Sequence, residues 1–312
     1  MALDTAPRPT GSPPAARRPA THTDTGQRSG LLLTAPFLVL YLMFLIGPLV
    51  YGLLMSLFDT STVRGGLGPW AGFGNYAEVF GSGEFWDSMW HTVLFTIYTT
   101  PPLVLIALGF ALLTERIRRG RWFYRFAFFA PYVVPSAAVV LIWTWMYTPG
   151  IGLATEVVGW FGITAPNWTG TPGWAMISVA VLTVWWTVGF NYILYLAGLQ
   201  DVPRDVYDAA ALDGVSAWAQ IRYITVPLLS RTTTLVLALQ VVASLKIFDQ
   251  IYLLTQGGPN FSTRPALEYV YDVGFTDYRA GYAAAASLVY FALILVASLA
   301  WLVLSRVRVK EA

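Results

Sequence analysis

Few residues of this 312-residue chain are equipped for covalent or acid–base chemistry, and their spacing narrows the choice further. There is no cysteine, which removes thiolate nucleophiles, disulfides and thiolate metal sites together. The two histidines, His22 and His91, have no carboxylates at regular spacing beside them, so neither makes a convincing metal centre. Lys246 and Lys310 are the only lysines, and neither follows a glycine-rich loop of the G-x-x-x-x-G-K-S/T kind that cradles nucleotide phosphates. No catalytic residue, metal or bound cofactor is therefore expected in the chain itself. What remains is the chemistry of recognition. Asn191, Gln240, Lys246 and Asp249 are polar or charged inside apolar stretches, where such groups face neighbouring helices or a water-filled path. Lys246 and Asp249, three apart, suit a pair on one helical face; Lys246 either snorkels outward with Asp249 as its counter-ion or takes part in a gate. Trp143 and Trp185 offer flat apolar planes on which a hydroxylated ring compound can stack, although tryptophan is also the residue of membrane interfaces.

The longest polar segment of the second half is 201–227, DVPRDVYDAAALDGVSAWAQIRYITVP. It reads as two short helices joined at a glycine. Pro203 tolerates a first helical turn, Asp201 and Asp205 suit the positive helix start, and Asp213-Gly214 supplies the stop. Ser216 caps a second helix running through Arg222. Val206, Ala209, Ala210 and Asp213 follow helical spacing, giving a narrow face of small residues for another protein surface.

The elements that must position these residues are set by composition. With 56% hydrophobic and only 12% charged residues and a mean hydropathy of +0.58, the chain is far more apolar than soluble domains, where charged residues are roughly a quarter. The expected fold class is all-α: a polytopic membrane protein of six transmembrane helices, near 31–58, 90–113, 126–147, 174–199, 229–254 and 281–305. The first is kinked near Pro48, and Pro101-Pro102, Pro131 and Pro135 interrupt the second and third. Residues 1–30, rich in proline and without apolar periodicity, are expected to be a disordered tail, and 307–312 a second one. Arginine and lysine set the orientation. Both termini and the 201–227 loop fall on the cytoplasmic side with the basic cluster of Arg116, Arg118, Arg119, Arg121 and Arg125, while Arg64, Arg264 and Arg279 fall outside. A net charge of +2 gives no reason to expect nucleic acid.

Asp208, Ala209, Ala210, Gly214, Ile224 and Pro227 resemble the EAA loop of binding-protein-dependent ABC importer permeases, with Asp208 for the usual Glu and Val226 for the usual Leu. Phe73-Gly74-Asn75-Tyr76 in the first outer loop resembles the F-x-N-Y of carbohydrate-type permeases. So do Gly189-Phe190-Asn191-Tyr192 and the K-x-F-D to G-G-P stretch from Lys246 and Asp249 to Pro259. The resemblance implies a permease of the maltose or glycerol-phosphate type in a bacterial or archaeal cell membrane, importing a sugar or related polyhydroxylated solute by alternating access. It implies coupling to a separate ATPase through Asp208, Ala209, Ala210, Asp213, Gly214, Ile224 and Pro227. The implied partners are a second homologous permease, two ABC ATPase subunits that bind ATP and magnesium, an extracytoplasmic solute-binding protein, and the lipid bilayer. Asn191, Gln240, Lys246, Asp249, Trp143 and Trp185 are candidates for the path. The competing reading is a secondary transporter driven by an ion gradient, which needs ionisable groups at the midplane and usually inverted repeats; the spans offer little beyond Lys246, Asp249 and His91, with no internal repeat. An intramembrane enzyme would need a nucleophile–base pair that the spans lack.

Overall fold

The computed structural model describes residues 25–117 and 119–310. Most of the expected N-terminal tail, Arg118 and the last two residues lie outside them. Helix α1 (Thr25–Tyr41) starts inside the stretch read as tail, where the last proline is Pro19 and none falls between Thr25 and Gly30. It continues through a wide turn at Leu42–Ile46 into α2 (Gly47–Met55). The kink expected near Pro48 takes the form of that turn. Proline offers no N–H to the carbonyl four residues back, and the N–H of Gly47 reaches five back, to Leu42. Together Leu33–Met55 make 23 residues of mean hydropathy 2.3, enough to cross a bilayer.

From Gly52 onward the chain forms a second unit. A short helix α3 (Gly74–Gly81) precedes α4 (Gly83–Arg116), whose first turn is capped by Ser82 Oγ accepting from the Phe85 N–H. Pro101-Pro102 does not interrupt α4, contrary to expectation. The pair removes two backbone donors, but the helix is long on either side and packs along α8. The third apolar stretch departs further: α5 (Arg121–Val133) and α6 (Ser136–Met146) meet at 95°. Val134, the residue before Pro135, is forced into an extended conformation, and its carbonyl accepts from Trp186 Nε1 at 3.0 Å, so the broken ladder is closed from the neighbouring helix.

After α7 (Leu153–Gly159) comes α8 (Trp174–Gln200), which agrees with the expected span to within a residue. The connector holds α9 (Arg204–Leu212), α10 (Ala217–Gln220) and α11 (Val226–Leu228). The expected fifth span, 229–254, is two helices, α12 (Ser230–Leu245) and α13 (Asp249–Leu254). At about 24 Å, α12 alone is short of a bilayer core. A loop and α14 (Ala266–Tyr271) lead to α15 (Ala280–Lys310), which runs on through 307–310 where a tail was expected. Among the described residues four helical stretches, Leu33–Met55 included, are long and apolar enough to cross a membrane. The number rises to six if α5 with α6, and Ala217–Leu228 with α12, each count as one bent span. Among the described residues there is no β-strand, only an isolated bridge between Phe58 and Trp70.

The core lies where α4, α8 and α12 meet. Leu103, Ala107 and Ala111 recur every fourth residue along α4, facing Val188, Tyr192, Tyr195 and Leu199 of α8 at helical spacing, with Val236 of α12 closing the group. Helix α5 crosses α8 at Gly189, where a Cβ would lie 2.6 Å from the Phe128 carbonyl oxygen. Only hydrogen fits at that crossing.

Candidate functional site

The 201–227 segment folds as two helices about a glycine. Asp205 sits in the first turn of α9, which ends at Asp213 with its N–H on Ala209 O. Gly214 takes φ +71°, a left-handed value that only glycine adopts without strain. Ser216 Oγ then caps α10 by accepting from the Ala219 N–H at 3.3 Å. A wide turn at Ile221–Thr225 follows, in the same relation to Pro227 as the first one to Pro48, and the Val226 N–H reaches back to Ile221. Tyr207 and Thr225 join the two arms through their hydroxyls at 3.0 Å, and Arg116 at the end of α4 donates to Ala217 O at 3.4 Å.

The small-residue face read from the sequence is divided in the fold. Ala210 is buried and Ile224 half-buried, whereas Asp208, Ala209, Asp213, Gly214 and Pro227 are exposed. The most prominent surface side chains were not among the sequence candidates: Leu212 is 90% exposed, Trp218 72% and Tyr223 75%. Residue type alone did not single them out, because Val206, Tyr207, Ile221 and Ile224 in the same segment are also large and apolar.

Asn191 and Gln240 come together. The buried Asn191 donates from Nδ2 to Gln240 Oε1 at 2.9 Å, and Gln240 Nε2 donates to Ser244 Oγ at 3.0 Å. Ser244 Oγ lies 3.1 Å from Thr99 Oγ1, which donates to Phe95 O. This is one polarised line across α8, α12 and α4. Asn191 Oδ1 is buried with no partner among the described residues. Trp143 and Trp185 meet edge to face, ring centroids 5.8 Å apart, in the wall of a cavity of about 710 Å³ that also has Tyr98, Pro102 and Val181 in its lining. Trp143 is buried and Trp185 partly exposed. The path candidates thus fall into an internal polar line and a separate aromatic wall.

Lys246 and Asp249 are not on one helical face. The chain leaves α12 at Lys246 and re-enters helix only at Asp249, through Phe248 at φ −150°, ψ −64°. The break buries Ile247 and stacks Phe248 on Tyr252, leaving Lys246 and Asp249 exposed. No ion pair joins them; those among the described residues are Arg121–Glu115, Arg264–Glu84, Arg264–Asp272 and Arg279–Glu78. The loop near 59–89, expected on the outer side, also divides. Asn75 Nδ2 donates to the carbonyls of Ser56 and Phe58, both at 2.9 Å, and Tyr76 bonds Ser56 Oγ at 2.7 Å. These two hold the loop, while Phe73 and Trp70 remain on the surface.

Residues 67–309 match the family described as binding-protein-dependent transport system inner membrane component. The chain is 32% identical over 273 residues to a sulfoquinovosyl glycerol transport system permease protein of Agrobacterium fabrum, covering 86% of this chain and 88% of that protein. It is 34% identical over 283 residues to a trehalose/maltose transport system permease protein of Thermococcus litoralis, covering 89% and 94%. Among solved structures, a chain of a bacterial ABC transporter involved in importing the acidic polysaccharide alginate superposes with a TM-score of 0.77 at 23% identity, covering 90% of this chain and 96% of that one.

Proposed function

The chain belongs to the binding-protein-dependent transport system inner membrane component family, and from that premise we propose that it is a permease subunit of an ATP-driven importer for a sugar or a related polyhydroxylated solute. The observation that carries the reading is the 201–227 segment: two helices about Gly214 that leave Leu212, Trp218 and Tyr223 in solvent. Isolated surface apolar residues are ordinary, but three of them on one short connector, each between 72% and 90% exposed, mark a surface for another protein. The occupant is a separate ATPase subunit, which binds the ATP and magnesium; neither lysine of this chain follows a glycine-rich phosphate loop.

In this reading α5 with α6, and Ala217–Leu228 with α12, count as spans, giving six with both ends in the cytoplasm. Closure of the ATPases drives the connector, and the Arg116 contact to Ala217 passes that movement to α4. A second permease faces the aromatic wall of Trp143 and Trp185, whose planes suit the apolar faces of a sugar ring. An extracytoplasmic solute-binding protein delivers the solute to the side carrying Trp70 and Phe73. The named sugar-permease relatives support the substrate class and leave the individual sugar open.

The test uses single cysteines at Leu212 and Trp218, which the cysteine-free chain makes clean. Crosslinks to an ATPase subunit that change with nucleotide, together with ATP-dependent sugar uptake lost on Gly214→Pro, are the expected result. Uptake that persists without ATP and collapses with the ion gradient would overturn it in favour of a secondary transporter.

A further inference from the structure

The loop between α13 and α15 encloses charges that the proposed function does not use. Arg264 is only 6% exposed, with its guanidinium over the rings of Phe261 and Tyr269 at 4.1 and 5.1 Å. Its Nη2 donates to Glu84 Oε2 at 2.8 Å, its Nη1 lies 3.9 Å from Asp272, and its Nε is buried without a partner among the described residues. Glu268, 2% exposed, keeps Oε2 equally buried and unpartnered. The two side chains share one wall. A Cβ built on Gly257 would come within 3.0 Å of the Arg264 Cβ and 3.2 Å of Glu268 Oε1.

We propose that Glu268 is a proton-binding site whose charge decides whether the Arg264 guanidinium stays with Glu84, and so how firmly the loop after Gly257 is tied to the Gly83 end of α4. With Glu268 neutral, Arg264 serves Glu84 and, at longer range, Asp272. Once Glu268 is ionised, three carboxylates compete for one guanidinium. The Glu84 side chain is 71% exposed and keeps water as an alternative partner, whereas the Glu268 anion has none. A charge pair is worth most where water is absent, and a lone buried anion costs most. The guanidinium, with Nε–H still to give, turns inward and releases Glu84. Burial, then repulsion from Asp272, with Arg264 opposing, push the Glu268 carboxyl up to about 7.

Other ionisable groups lie on the elements around Glu268 and Arg264. Helix α4 brings Glu84, Asp87 and His91, the last with Nδ1 3.2 Å from Arg264 O. Helix α14 and the turn after it bring Tyr269, Asp272 and Asp277. Tyr252 of α13, which interacts with Glu268 and with Tyr271 of α14, and Tyr282 of α15, bonded to Tyr269, also belong to the surroundings. His91 is the one imidazole among these groups, so it has its own control.

The proposal leans on the transport reading for one readout only. In nanodiscs holding the full chain with its partner subunits, infrared difference spectra are expected to show a protonated-carboxyl stretch that disappears with a midpoint near 7. The band should be absent in Glu268→Gln and kept in His91→Gln. Spin labels at the exposed Trp90 and Asn260 should move apart with the same midpoint. In Glu268→Gln they should stay at the short distance, and in Glu84→Gln at the long one, at every pH. ATP-driven uptake should follow the same titration and lose it in Glu268→Gln. A band that survives Glu268→Gln, no band at all, or a titration with no change of distance would each overturn the proposal. Titration and movement without ATP-driven uptake at any pH would leave the proton site standing and remove the transport reading instead.

Discussion

At Gly189 a single hydrogen decides how closely α5 and α8 approach. A methyl group there would sit 2.6 Å from Phe128 O and 2.9 Å from Phe129 Cα, both main-chain atoms that cannot swing aside. Gly189→Ala is therefore expected to cost about 1–3 kcal/mol, read as a lowered melting temperature in detergent. Glu268 makes a prediction of opposite sign. Its carboxyl is raised from an ordinary 4.5 to about 7, so the folded chain holds the proton more tightly than the unfolded chain does. Stability is then full below the lower value, falls as pH rises between the two, and stays reduced above, by an amount on the order of 3 kcal/mol. Glu268→Gln should flatten that fall in a series of melts across pH and be the more stable protein at alkaline pH. Neither residue's environment was legible beforehand. Gly189 sat inside a family-like string with no sign of which helix it would meet, and Glu268 and Arg264 lay in a segment read as an outer loop, where burial is not written in residue type.

Among the elements, the bend between α5 and α6 depends on a bond from outside the pair. Trp186→Phe keeps an aromatic ring, though a smaller one, and leaves the Val134 carbonyl without its donor. The expected loss is about 1–3 kcal/mol, with increased reactivity at cysteines placed on either side of Pro135 as the local readout. The connector behaves differently, because its exposed side chains bury nothing within the chain. Leu212→Asp and Trp218→Ala should leave melting unchanged to within about 0.5 kcal/mol while abolishing nucleotide-dependent crosslinking and uptake. The connector's glycine turn was legible because Asp213-Gly214 carries its own chemistry. The break at 246–248 was not: it contains neither proline nor glycine, and it exists because Ile247 is buried and Phe248 stacks on Tyr252. Apolar periodicity ran across it as though one helix continued. The proline pair in α4 erred the other way, a strong local signal overruled by packing.

For the whole molecule, the apolar runs marked where the long helices lie, because twenty consecutive apolar residues have few other uses; the way two of the runs bend was not written in them. The orientation drawn from arginine counts can be checked with a membrane-impermeant thiol reagent. Cysteine at Leu212 should be labelled only in inside-out vesicles, and cysteine at Phe73 only in right-side-out ones. Labelling of both from one side would invert the topology. The wide turn at Ile221–Thr225 ties these scales together in a way that neither helix alone reveals. Such a turn carries one residue more than the helix needs, and a single residue is about 100° of rotation. It therefore acts as a phase setting, fixing the angle between the exposed arm with Leu212 and the inward line from Gln240 to Ser244. Deleting one residue between 221 and 225 would shorten the chain by little, yet it would turn Gln240 away from Asn191 and leave the connector and the bundle each intact but out of step.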